Sequence, residues 1–78
     1  MNSTGRVTKI VADVLRVPAE KIAPHTPLYQ VADFDSMHLA EIAAAIDDEF
    51  QTRLPSDGLD VVQSVEDLVR LLESAPGR

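Results

Sequence analysis

Residues 33–50 read Asp-Phe-Asp-Ser-Met-His-Leu-Ala-Glu-Ile-Ala-Ala-Ala-Ile-Asp-Asp-Glu-Phe. Leu39, Ile42, Ala43, Ile46 and Phe50 recur at intervals of three and four, which puts them on one face of an α-helix. The spacing predicts a helix over 36–51 with those five residues as its buried stripe. Met37, Ala40, Glu41, Ala44, Asp47 and Asp48 fall on its other faces. Asp35, or Ser36 itself, is placed to cap the helix by accepting from first-turn N–H groups that have no intrahelical partner. Neither choice makes a capping box, because His38 and Leu39 stand three residues further on. A single serine therefore sits where a loop turns into an amphipathic helix, with acid on both sides. No Lys or Arg occurs from Ile22 to Thr52.

Working outward, Val7, Ile10, Val11 and Val14 follow the same helical rule. They predict a first helix over 4–16, capped by Ser3 or Thr4 and ended by Pro18, since the residue before a proline avoids the α region. Residues 17–35 carry Pro18, Pro24 and Pro27 and read as a long connection, with Ile22, Leu28, Val31 and Phe34 as pegs into the core. Loops of this length are uncommon and often functional. Residues 53–58 form a break, and 57–62 allow one short turn of helix. Ser64 caps a last helix over 64–74, with Glu66 and Asp67 favourable in its first turn and Val65, Leu68, Val69 and Leu72 inward. Residues 75–78 are expected to fray. No period-two pattern competes. Each helix is too short to stand alone. The expected fold is all-α: a small antiparallel bundle of three main helices plus one short helix, with a long first loop, in one domain over 1–78.

The composition narrows the function. With 45% apolar residues and only Tyr29, Phe34 and Phe50 as aromatics, the core must be aliphatic. There is no cysteine, which suits a reducing cytoplasm. The net charge of −6 argues against nucleic acid and against anionic membrane surfaces, both of which select clustered cations. It favours partners with basic patches. No apolar run approaches the ~20 residues of a membrane span, and the N-terminus lacks a signal-peptide core. A cytoplasmic monomer is expected. No nucleophile–base–acid set supports an enzyme.

Ser36 has a plain reading as a helix cap. Its context adds another. Asp35-Ser36-Met37, then Glu41, then Asp47-Asp48-Glu49-Phe50, resemble the signature of acyl carrier proteins. The resemblance extends to Leu28 in the loop, Leu54-Pro55 after the second helix, and Ser64-Val65 at the start of the last. It covers about residues 6–73 without an insertion. It implies that Ser36 carries 4′-phosphopantetheine, transferred from coenzyme A by a separate Mg²⁺-dependent phosphopantetheinyl transferase. It also implies an arm ending in a thiol that holds acyl groups as thioesters. Physical chemistry agrees with the place: a phosphodiester at a helix N-terminus meets free N–H groups and the positive end of the dipole.

The resemblance assigns Asp35 to the transferase interface. It assigns Glu41, Asp47 and Asp48 to docking on Lys and Arg of acyl-transferring or condensing enzymes. The bland reading of these acids is a solvated face; the lack of any base between residues 22 and 52 favours docking. Met37 and Ala40 form a small apolar centre within that patch, and methionine suits varied partners because it is flexible and polarizable. His38 departs from the family pattern, and so does Val31-Ala32-Asp33-Phe34, where many members carry glycine. These departures suggest a dedicated carrier of a specialised pathway. His25 and His38 lack metal-ligand spacing, so no metal is expected. The expected function is to shuttle acyl intermediates of fatty acid, polyketide or related biosynthesis. The alternatives are a peptidyl or aminoacyl carrier, and an unmodified acidic interaction module in which Ser36 is only a cap.

Overall fold

The computed structural model describes residues 3–75. Its elements in chain order are α1 (Ser3–Leu15), α2 (Ser36–Phe50), α3 (Ser56–Leu59) and α4 (Val65–Ser74). The long connection between α1 and α2 contains two 3₁₀ turns, Ala19–Lys21 and Leu28–Gln30. The all-helical bundle read from the sequence is the architecture observed. The 3₁₀ turns were not foreseen, because three or four residues carry no periodicity to detect.

α1 runs antiparallel to α2 and also packs on α4. The register against α2 is set at one end: Arg6 pairs with Glu49 at 2.7 Å, and its guanidinium lies 4.2 Å from the centre of the Phe50 ring. Two neighbours widen the face that α1 must bury. Its buried residues are Val7, Val11, Ala12 and Leu15, while Ile10 and Val14 are only half-buried. The inner face is thus rotated from the Val7, Ile10, Val11 and Val14 face expected.

In α2 the buried residues are Ile42, Ala43 and Ile46, with Leu39 and Phe50 partly covered at the two ends. α4 contributes Val65 and Leu68, and Val69 and Leu72 pack around them. The first loop supplies Ile22 and Leu28 as buried pegs; Val31 and Phe34 pack more loosely. It is fixed to the start of α4 by backbone bonds, Leu28 N–H to Gln63 O at 2.7 Å and Glu66 N–H to Pro24 O at 3.0 Å. His25 Nδ1 lies 2.9 Å from Glu66 Oε2 at the same junction. Gly58 lets α3 close on α4, since a Cβ there would lie 2.6 Å from Leu71 Cδ2.

The helix ends show where local rules gave way. Ser3 and Thr4 lie inside α1 rather than capping it, and Thr4 O accepts from the Thr8 hydroxyl. α1 stops because Arg16 turns left-handed (φ 60°) and Val17 N–H reaches back to Ala12 O, two residues before the Pro18 expected to end it. α2 stops the same way, with Gln51 at φ 53° and Thr52 N–H donating to Asp47 O. Both are Schellman endings, usually built on glycine. Arg and Gln in those places carry no local signal for such an ending. Ser64 caps α4 as expected, its Oγ accepting from Asp67 N–H while Asp67 Oδ2 accepts from Gln63 N–H. Of the expected C-terminal fray, Ala75 is half-buried with its N–H bonded to Leu72 O, and 76–78 lie outside the described residues.

Candidate functional site

Ser36 is the first residue of α2 and is exposed. Its hydroxyl makes no hydrogen bond among the described residues. It does not cap the helix: Asp35, in extended backbone, accepts the His38 N–H at Oδ1 over 3.0 Å and fills that role. The two candidates for the cap are therefore separated, and Ser36 is released from structural duty. The same N–H holds the Asp35 carboxyl below its ordinary acidity range, with the nearby His38 ring acting in the same direction. Asp35 is itself exposed, so this is a local effect at the surface.

His38 leans over the cap. Its Nδ1 lies 3.0 Å from Asp35 Oδ1 but is not aligned for a hydrogen bond to it, and that nitrogen is shut away from solvent. About one third of the side chain stays exposed. The sequence singled out His38 as unusual but did not pair it with Asp35. An i,i+3 relation at a helix start was the available signal.

The proposed docking residues divide. Met37 is 71% exposed, and Ala40, Glu41 and Asp48 are exposed on the same helix. Neither Glu41 nor Asp48 has an ion-pair partner among the described residues. Asp47 differs from its expected place on an open face. It is half-buried, and its Oδ1 accepts the Leu54 N–H at 2.8 Å, tying the chain after α2 back onto the helix. The Schellman turn folds that segment under Asp47, which helical periodicity alone does not encode.

The acidic run Asp47-Asp48-Glu49 lies at the wrong end of α2 for local stability. Anions at a helix C-terminus oppose the dipole by a few tenths to about 1 kcal/mol each at exposed sites. Arg6 from α1 offsets one of them through Glu49. Among the described residues no group of three His, Cys, Asp or Glu side chains can hold a metal. No helix there is long and apolar enough to cross a membrane.

Residues 5–72 match the family described as the phosphopantetheine attachment site. Over 70 residues the chain is 36% identical to an acyl carrier protein of Sinorhizobium fredii, covering 90% of each. The chain belongs to the acyl carrier protein family. It is similar to the same extent, 36% over 70 residues and 90% of each chain, to an acyl carrier protein of Rhizobium meliloti. An acyl carrier protein of Thermobifida fusca is 28% identical over 67 residues, 86% of this chain and 85% of the relative. Acyl carrier proteins carry acyl intermediates on covalently held 4′-phosphopantetheine, and this chain is one of them. A free, exposed serine hydroxyl at the head of α2 fits that group, because an attached phosphate there would face the unpaired N–H groups of the first turn.

Proposed function

We propose that Ser36 is the residue that bears the 4′-phosphopantetheine arm. The observation that carries this is the division of labour at the head of α2: Asp35 caps the helix, and Ser36 Oγ is left exposed and unbonded. A transferase can reach such a hydroxyl without unfolding anything. The arm's terminal thiol then holds acyl groups as thioesters, and the chain has no cysteine of its own to compete for them.

Docking is assigned to Asp35, Met37, Ala40, Glu41 and Asp48, with basic surfaces on the transferase and on acyl-transferring or condensing enzymes as partners. Individual exposed ion pairs are worth about 0.2–1 kcal/mol, so such encounters are weak, fast and salt-sensitive, as a shuttle requires. Asp47 adds charge to this face, while its carboxylate primarily holds Leu54. The chain acts as a monomeric, single-domain cytoplasmic carrier without catalysis of its own. Its pathway is a dedicated one within fatty acid, polyketide or related biosynthesis, supported by His38 and by the glycine-free stretch before Asp35.

The test is intact mass after incubation with coenzyme A, Mg²⁺ and a broad-specificity transferase. The wild-type chain is expected to gain one phosphopantetheine group and Ser36→Ala none. A mass gain that persists in Ser36→Ala overturns the assignment.

A further inference from the structure

Phe34 stands two residues before Ser36 and has no part in the site described so far. The first loop has two kinds of peg. Ile22 and Leu28 are buried in the core, at 5% and 0% exposure, while Phe34 is half-buried at its edge. We propose that Phe34 is a positioning residue: it pins the chain just before α2 to the bundle, so that Ser36 is offered to the transferase in one orientation. This deepens the reading of Ser36 as the attachment residue and rests on it.

The backbone around it explains why a pin is needed. Ala32 N–H donates to Leu28 O at 3.3 Å, which closes the second 3₁₀ turn. The next backbone bond along the chain joins Leu39 N–H to Asp35 O at 3.0 Å, at the start of α2. Between them, the N–H groups of Asp33, Phe34 and Asp35 form no hydrogen bond with any described residue. Backbone without such bonds is held by its side chains or not at all. Asp33 and Asp35 are exposed, so their side chains bury little. Ala32 and Phe34 are the residues of this stretch that pack on the core, and Ala32 offers a single methyl group. Phe34 therefore supplies most of the apolar contact that fixes residues 33–35. Asp35 adds the second tie, its carboxylate accepting the His38 N–H. One tie runs to the bundle and the other to α2, and Ser36 follows directly on both.

Ordering the backbone of a single residue changes an equilibrium by about tenfold. Without the peg, only the fraction of molecules with residues 33–35 already in place can enter the transferase, and the apparent affinity falls by that fraction. In the transfer itself, Ser36 Oγ bonds to the phosphorus that carries pantetheine, the pyrophosphate bond to the adenosine bisphosphate half of coenzyme A breaks, and the serine proton is released. Phe34 has no group that takes part in that step. Loss of the peg therefore raises KM and spares kcat. Its effect on stability is small by comparison, because a half-buried side chain at the rim leaves no closed cavity behind it.

The test measures loading with coenzyme A, Mg²⁺ and a broad-specificity transferase at varied carrier concentration, at a temperature where circular dichroism shows each variant folded. Phe34→Ala is expected to raise KM about tenfold with kcat unchanged. Phe34→Leu, which keeps an apolar peg, is expected to stay close to wild type. Ile22→Val is the contrast: it thins a buried peg, so the melting temperature falls while KM holds. A Phe34→Ala chain that melts early but loads with the wild-type KM overturns the inference and leaves Phe34 a packing residue only. A fall in kcat at unchanged KM overturns it as well. A second measurement needs no variant. Backbone order parameters of residues 33–35 in the wild-type chain are expected to match those of the helices, about 0.85, and values below about 0.6 would show that nothing pins the segment. That result overturns the inference while leaving Ser36 as the attachment residue. A wild-type chain that gains no mass overturns the reading of Ser36, and this inference with it.

Discussion

At its C-terminal end α2 is held from three directions: Arg6 grips Glu49 and covers Phe50, Asp47 holds Leu54 N–H, and Thr52 N–H folds back onto Asp47 O. At its N-terminal end the helix has a single side-chain cap from Asp35, a histidine leaning on that cap, and an exposed serine and methionine. The difference between the two ends of one helix separates its tasks. One end is spent on fixing the bundle's register. The other is kept open so that an enzyme can modify it and partners can read it.

The contrast can be tested by substitution. Ile46 is fully buried midway along α2, and both ends depend on it. Ile46→Ala is expected to cost about 2–5 kcal/mol, enough to unfold much of so small a domain, and thermal melting followed by circular dichroism checks it. A melting temperature that barely moves would mean the helix is held by its ends instead. At the tied end, Asp47→Ala leaves the Leu54 N–H without its acceptor and is expected to cost about 1–3 kcal/mol. Loading of Ser36 at a temperature where the variant is folded should be little changed. A variant of normal stability that loads slowly would place Asp47 with the docking acids instead.

At the open end the expectation concerns acid. The carboxyl of Asp35 is held below its ordinary range in the folded chain, chiefly by the His38 N–H. It therefore contributes stability above the unfolded-state value, and that contribution is lost as pH falls through the folded one. Asp35→Ala should be less stable than wild type at neutral pH, with the gap closing as pH drops below the usual carboxylate range. Urea midpoints measured down the pH scale would reveal a gap that stays constant if the cap acts only through its shape. The smallest effect is expected at Gln51, held at φ 53°. Gln51→Gly relieves about 1 kcal/mol of left-handed strain but gives up the exposed Nε2 bond to Asp48 O. A net gain of about 0.5 kcal/mol would appear as a small rise in melting temperature; a fall would show that the side-chain bond matters more than the backbone strain.

The sequence made the helices legible where apolar spacing was long and regular. The stripe Ile42, Ala43 and Ile46 needed nothing else, and the Ser64 cap announced itself. The candidate site was legible because Ser36, Asp35 and the acid run are contiguous or share one helix, so their relation is local. Other features were hidden. Arg6 and Glu49 are forty-three residues apart, and no periodicity links them. The rotated face of α1 reflects two packing partners, and a single helix cannot reveal how many neighbours it will have. Asp47 reads as one more exposed acid until the chain turns back beneath it.

The order of residues by itself decided that this chain forms an aliphatic helical bundle with an acidic second helix and a lone serine at that helix's head. Those properties follow from periodicity, charge and capping chemistry within a few turns. Tertiary structure alone decided which face of α1 would be buried, that Arg6 would meet Glu49, and that Asp47 would hold Leu54 while Glu41 and Asp48 stayed exposed. Those outcomes depend on where distant segments come to rest, and burial and backbone closure fix that only when the whole core is assembled.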